Sequence, residues 1–205
     1  MRIVCTSDTH GHHDRMTVPD GDLLIVAGDF TKRGRRDEIA AFDCWLGTQP
    51  HRHKVVVAGN HDFGLQDLPD RAALITRATY LEDAGTTVDG LRIWGSPWQP
   101  RFFDWAFNLD RGEPLRQVWA RIPDGTDVLV THGPPRHVLD LTDHGEPVGC
   151  DDLREAVLRI RPKLHVFGHI HEGYGQVVEE GIRFVNACAC NLRYQPVQPP
   201  IVVDL

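Results

Sequence analysis

The stretch Leu164-His165-Val166-Phe167-Gly168-His169-Ile170-His171-Glu172-Gly173-Tyr174-Gly175 decides how the rest of the chain is read. A short apolar run, Leu164–Phe167, stops at a glycine, and two histidines one residue apart follow it. Such a run, bounded by a turn residue, predicts a buried strand. A glycine at its end lets the chain bend, so both imidazoles can face one point instead of opposite sides. Neutral imidazole is the commonest metal ligand among side chains. One histidine pair carries little weight, but four other predicted strands finish in the same way.

Residues 2–5 run into Asp8 and His10, and residues 23–27 into Gly28-Asp29. Residues 54–58 lead to Gly59-Asn60-His61-Asp62, and residues 127–130 lead to His132. Ligand sites in open α/β sheets form beyond the carboxyl ends of strands. Carboxylate, amide oxygen and imidazole together suit Mn, Fe or Zn, and the lack of thiolate among them argues against a structural zinc finger. The set exceeds the needs of one tetrahedral ion and suits two ions about 3.5–4 Å apart that share a carboxylate. Asp29 is the expected bridge, one oxygen toward each ion. A single aspartate or histidine at a strand end is more often a turn or cap residue. Five matching strand ends outweigh that reading. His165 lies inside its strand and reads as a core or supporting residue, while His12, His13, His51, His53, His137 and His144 read as surface or loop histidines.

Between the strands, helices are expected over residues 36–46, 113–121 and 151–161, the last closed by Pro162. Asp89-Gly90 and Glu180-Gly181 mark hairpin turns. Strands that alternate with helices and then turn to hairpins predict a mixed α/β sandwich, read as one domain over residues 1–205. The 205 residues are 41% hydrophobic and 25% charged, as in ordinary globular chains, with a formal net charge of −7. No basic arm is present, which argues against duplex nucleic acid as the main partner. No apolar run approaches the roughly 20 residues of a membrane span. The first strand begins at once, without an apolar leader, and the five cysteines form no disulfide-like pattern. Both features predict a cytoplasmic protein with reduced thiols. Cys188 and Cys190 read as small strand-end residues.

The blocks Asp8-x-His10, Gly28-Asp29, Gly59-Asn60-His61-Asp62, Thr131-His132-Gly133 and Gly168-His169-x-His171 resemble, in order and spacing, the five signature blocks of the calcineurin-like metallophosphoesterases. Trp94-Gly95-Ser96-Pro97, Trp105-Ala106-Phe107-Asn108-Leu109 and His171-Glu172-Gly173-Tyr174-Gly175 look like the branch of metallophosphoesterase-domain-containing proteins, brain-type members and bacterial relatives together. That resemblance implies a four-layer α/β/β/α sandwich with two divalent metal ions, Mn or Fe before Zn, at the strand ends. It implies that Asp8, His10 and His171 hold one ion and that Asn60, His132 and His169 hold the other, with Asp29 between. His61 would not ligate but stand beside the substrate phosphate as acid or charge stabiliser, with Asp62 orienting or tuning it.

A hydroxide held between two cations is a nucleophile at neutral pH, and an alkoxide leaving group needs a proton that a histidine can give. The expected activity is hydrolysis of a small phosphodiester, a cyclic nucleotide or similar, with phosphomonoesterase action or a nucleotide-binding regulator as alternatives. Trp98, set between prolines, is the preferred exposed aromatic for stacking on a substrate. Lys32, Arg33, Arg35 and Arg36 read as a solvated loop and helix start.

Overall fold

Each strand has two faces to bury, so the alternation of its apolar side chains dictates layers. The computed structural model describes residues 1–205, the side chain of Ala72 apart. In chain order the strands are β1 (Arg2–Thr6), β2 (Leu23–Ala27), β3 (His53–Val57), β4 (Thr79–Tyr80), β5 (Ala84–Val88), β6 (Leu91–Ser96), β7 (Gln99–Pro100), β8 (Asn108–Leu109), β9 (Val128–Thr131), β10 (Leu164–Phe167), β11 (Gly175–Glu179), β12 (Ile182–Asn186) and β13 (Ile201–Asp204). The α-helices are α1 (Arg36–Thr48), α2 (Phe63–Asp67), α3 (Glu113–Ala120) and α4 (Asp151–Ile160).

One sheet has the order β13-β1-β2-β3-β4, and the other the order β11-β12-β10-β9-β6-β5. Within the first, β1 to β4 are parallel and β13 is antiparallel. Within the second, β6, β9, β10 and β12 are parallel, and β5 and β11 are the antiparallel edges. Ile3, Cys5, Leu23, Ile25, Val55 and Val57 point inward from the first sheet and meet Ile93, Val128, Val130, Leu164 and Val166 of the second. The alternate positions Val4, Leu24, Val26 and Val56 face outward, against Ile39, Phe42 and Leu46 of α1. On the far side Leu129, Phe167 and Phe184 pack under Leu115 and Trp119 of α3 and Leu153 and Val157 of α4. The result is the expected α/β/β/α sandwich.

Helix α4 starts where Asp151 and Asp152 meet the positive end of its dipole, and it stops at Arg161 in a left-handed cap before Pro162. Both hairpins turn through two consecutive positive-φ residues, Asp89-Gly90 and Glu180-Gly181, the combination that two-residue hairpins require. The two-residue strands β4, β7 and β8 have no periodic signal and form only because neighbours supply the pairing. Trp98 departs from expectation: its indole N–H donates to Asp83 at 2.8 Å and its ring packs on Phe107, so it joins the core and takes no part in the cavity described below.

Phe42 is fully buried and stacks on Phe30 with ring centres 4.0 Å apart. Phe42→Ala is expected to cost about 3–5 kcal/mol in urea unfolding. A loss within about 0.5 kcal/mol, typical of surface changes, would contradict the packing of α1 on the first sheet.

Candidate metal centre

Because β1, β2, β3, β9 and β10 are parallel, their carboxyl ends open on one edge of the sandwich, and the next residues of each strand deliver polar groups there. His10 Nε2 lies 3.3 Å from His171 Nε2, 3.9 Å from Asp8 Oδ1 and 4.0 Å from Asp29 Oδ2. His171 Nε2 is 3.4 Å from Asp8 Oδ1. On the other side of Asp29, His132 Nε2 is 3.5 Å from Asp29 Oδ2 and 2.8 Å from Asn60 Oδ1. Such separations are close to the edge lengths of a coordination shell built on bonds of about 2.1 Å. His169 lines the same cavity, its ring centre 5.0 Å from that of His132. The structure therefore brings together every strand-end residue singled out in the sequence.

Further details fit a cation. Asp8 Oδ1 is buried and has no hydrogen-bond partner among the described residues. Its other oxygen accepts from the His169 amide at 2.9 Å and from the Cys188 thiol at 3.2 Å, with Ser7 Oγ also in contact. His132 Nδ1–H donates to the Ala27 carbonyl at 3.0 Å, and His171 Nδ1–H donates to the Asn191 carbonyl at 3.0 Å. Each bond favours the tautomer that leaves Nε2 free to hold a cation, the usual support for a metal-binding imidazole. Asp29 Oδ1 accepts the His61 amide at 2.7 Å, while Oδ2 is the oxygen that lies between His10 and His132, 4.0 and 3.5 Å from their Nε2 atoms.

The electrostatics describe the same need. Burial raises the Asp8 carboxyl, but the imidazoles of His171, His132 and His10 outweigh it and hold the group well below the usual carboxylate range. Asp29 is held low in the same way, burial being overcome mainly by His132. Burial depresses His132, yet Asp29 and Asp8 win and push it up to about 9. In the metal-free protein a proton on His132 thus stands where positive charge is required. His10 and His169 are held down, at about 4 and about 3, chiefly by burial.

Asp62 is not in the cavity lining and does not orient the His61 ring. It is fully buried, and its carboxylate accepts from the amides of Asp29 (2.8 Å), Gly59 (2.8 Å) and Thr31 (3.0 Å) and from the Thr31 hydroxyl (2.7 Å). It ties the loop after β2 to the loop after β3 and so positions Asp29. Burial and the charge of Asp29 push it up to about 7. His165 is a core residue: its Nε2 is 2.8 Å from the Thr131 hydroxyl, and its ring packs on Phe167. His13 and His51, expected at the surface, are buried. Arg35 and Arg36 are solvated ion-pair partners of Asp37 and Asp70.

Cys188 reads in sequence as a small strand-end residue, but its thiol lies in the centre, grouped with Asp8 and His171. Burial, then the charge of Asp8, pushes that thiol well up, so it donates a hydrogen bond. Its spacing from Asp8 in the chain hides this. The contact arises because Ser7 pairs with Cys188 where the two sheets are stitched together. Tyr194 carries no sequence signal for a similar reason. Its ring stands 4.7 Å from His10 and 5.6 Å from His171, on a loop that follows β12.

The cluster opens on a cavity of about 350 Å³ lined by His10, Asp29, Asn60, His61, His169 and His171 at its base. His61 is partly exposed, its ring 4.7 Å from His10 and 4.6 Å from Trp105. Its Nδ1–H donates to the Lys32 carbonyl at 3.1 Å.

Residues 1–173 match the family model described as calcineurin-like phosphoesterase. The human metallophosphoesterase domain-containing protein 1 is 44% identical, over 100% of this chain and 71% of its own length. A UPF0046 protein of Caenorhabditis elegans is 41% identical, over 98% of this chain and 74% of its own. Among solved structures, TT1561 of Thermus thermophilus superposes with a TM-score of 0.62 at 14% identity, covering 99% of this chain and 98% of that one. That likeness concerns the fold.

The backbone that assembles the cluster is unusual. Asp8, Asp29 and His169 themselves have positive φ, of 51°, 52° and 68°. The bend after β10 is therefore made by His169, and Gly168 serves another purpose: a Cβ on it would lie 2.0 Å from Asp8 Oδ2. Gly59 is the same case, its added Cβ falling 2.3 Å from Asp29 Oδ1. Gly168→Ala should displace the Asp8 carboxylate. The expected result is a loss of about 1–3 kcal/mol in stability, as for other overpacked sites, with weakened uptake of divalent ions by calorimetry. Wild-type ion binding in this variant would overturn the close-approach account.

Proposed function

The chain belongs to the calcineurin-like phosphoesterase family, and from that membership, which makes it a metal-dependent phosphoesterase, we propose that it hydrolyses small phosphodiesters such as cyclic nucleotides. Asp8, His10 and His171 would hold one divalent ion and Asn60, His132 and His169 a second, with Asp29 shared and Mn or Fe preferred. Bound there, such ions lower the pKa of water and offset charge on phosphoryl oxygens. The rest is the work of the side chains.

The observation that carries this reading is the attitude of His61. With Nδ1–H committed to the Lys32 carbonyl, Nε2 is the atom that can hold or give a proton, and it lies 4.0 Å from Asp29 Oδ2 at the base of the cavity. A protonated Nε2 there can stabilise a phosphoryl oxygen and then protonate a departing alkoxide. The lining beyond the ligand cluster supports a diester over a monoester. Its two arginines are engaged, Arg101 with Asp110 at 2.7 Å and Arg111 with the carbonyls of Val148 and Gly149 at 2.7 Å each. With neither guanidinium left to clamp a terminal phosphate, and aromatic and apolar side chains along much of the lining, the cavity suits a phosphate that carries a second ester group. The five free cysteines support a reducing, cytoplasmic setting, and among the described residues no helix is long and apolar enough to cross a membrane. The net charge of −7 supports a small nucleotide over duplex nucleic acid as partner.

Metal-loaded protein is expected to hydrolyse both bis(p-nitrophenyl) phosphate and a cyclic mononucleotide, with reversible loss in EDTA. His61→Ala should lower kcat by about 100-fold or more on the cyclic substrate, whose leaving group is an alkoxide. The loss should be much smaller on the p-nitrophenyl ester, which departs without a proton. Equal losses would refute the acid role, and no turnover with Mn, Fe, Co, Ni or Zn would refute the enzyme.

The raised His132 supplies a pH test. Ion uptake at pH 7 must displace its proton, so calorimetry in two buffers should find about one proton released by this residue. Affinity should climb with pH and level off above about 9. The metal-free fold should respond in the opposite sense. A pKa raised from 6.5 to about 9 contributes stability that is complete below the lower value and lost as pH rises through the upper one. A pH-independent affinity would remove His132 from the ligand set, and a count of one ion per chain would refute the dinuclear centre.

A further inference from the structure

Two aromatic side chains flank the mouth of the cavity, and each is fastened to a different loop of the ligand cluster. Trp105 stands 4.6 Å from the His61 ring. The amide of the next residue, Ala106, donates to the carbonyl of Asn60 at 3.1 Å, so the indole is held to the loop that carries Asn60 and His61. Phe102 extends this wall, its ring 5.4 Å from Trp105 and 50% exposed. Opposite, the amide of Tyr194 donates to the Asn191 carbonyl at 2.8 Å, and that same carbonyl accepts from His171 Nδ1. Asn191 Oδ1 also accepts from the amides of Arg193 and Gln195, which fixes the turn. The Tyr194 ring stands 6.1 Å from His61, and Leu192, 53% exposed, lines the cavity beside it.

Resting on the hydrolytic reading of the site, we propose that Trp105 and Tyr194 are specificity-determining residues that receive a flat aromatic ester group of the substrate. Three observations carry this. Exposed aromatic and apolar side chains cost free energy in water unless a ligand covers them. Both walls are set by hydrogen bonds to the ligand loops, so they are aligned before substrate arrives, and little ordering remains to be done on binding. The two arginines of the lining are committed to Asp110 and to the Val148 and Gly149 carbonyls, which leaves stacking and apolar contact as what these walls offer a substrate. The aromatic group can be an aryl ring or a nucleobase, since each offers a π face.

Binding to the Mn-loaded chain tests the proposal by calorimetry, without turnover. Phenylphosphonate is expected to bind about 10-fold more tightly than methylphosphonate, from one stacked ring. Trp105→Ala and Tyr194→Ala should each bring that ratio toward one while methylphosphonate affinity holds, and Trp105→Phe should restore most of it. Tyr194 is 45% exposed, so its variant remains informative if loss of Trp105 harms the fold. Comparison of the non-hydrolysable phosphonate analogues of adenosine 5′-phosphate and ribose 5-phosphate separates the two sources: a gain there as well identifies a nucleobase, and a gain confined to phenylphosphonate identifies an aryl group. Ratios near one in both pairs, or a gain that survives both alanine variants, would overturn the proposal while leaving diester hydrolysis intact. Absence of hydrolysis with normal phenylphosphonate preference would instead strike at the reading on which it rests.

Discussion

Two carboxylates, Asp8 and Asp29, are buried within a few ångströms of one another, and the rest of the molecule is arranged around that charge. Buried anions are costly unless positive charge is brought to them. Here imidazoles of His10, His132 and His171 surround the pair, and the carboxylates shift two of them, His132 and His171, toward the protonated form. The same charge balance would suit a divalent ion. The hydrogen bonds that occupy Asp8 Oδ2, Asp29 Oδ1, His132 Nδ1 and His171 Nδ1 leave the other oxygen or nitrogen of each residue turned inward.

The sandwich makes this convergence possible and also strains it. Parallel strands from two sheets end at the same edge, but side chains from five strands can meet only if the backbones approach closely. Gly59 and Gly168 provide that approach, because any Cβ there would collide with Asp29 or Asp8. The left-handed backbones of Asp8, Asp29 and His169 are the second concession, a conformation that non-glycine residues keep only where surrounding structure insists on it. The insistence comes from the network through Asp62, from the pairing of Ser7 with Cys188 across the sheets, and from apolar layers on both faces.

Around the charged base the cavity changes character. Aromatic and aliphatic side chains line its mouth, and the nearby arginines are tied to aspartate or to carbonyl oxygens. Charge recognition is concentrated at the cluster, and shape recognition is left to Trp105, Tyr194 and their neighbours. The two are mechanically linked, since Asn60 and His171 are bonded to the segments that carry those rings.

Much of this was written in local sequence. Period-two and continuous apolar runs marked strands such as β2 and β10 at their observed boundaries, and the polar residues after five of them named the cluster. Such signals are legible because a strand face and a strand end are local properties. The two-residue strands β4, β7 and β8 left no trace, since their pairing comes from neighbours distant in the chain. Trp98 and Trp105 look alike in sequence, each an aromatic in a Pro-rich or aromatic stretch. Only packing sent the first to Asp83 and Phe107 and the second to the cavity. Cys188 and Tyr194 reach the centre from residues far beyond the ligand blocks, and Asp62 serves Asp29 through backbone amides that no motif spells out. The sequence by itself determined which groups bind charge, because that is side-chain chemistry. Tertiary structure alone decided which oxygen or nitrogen of each group faces inward, and what stands beside it, because those depend on contacts between parts of the chain that are remote in sequence.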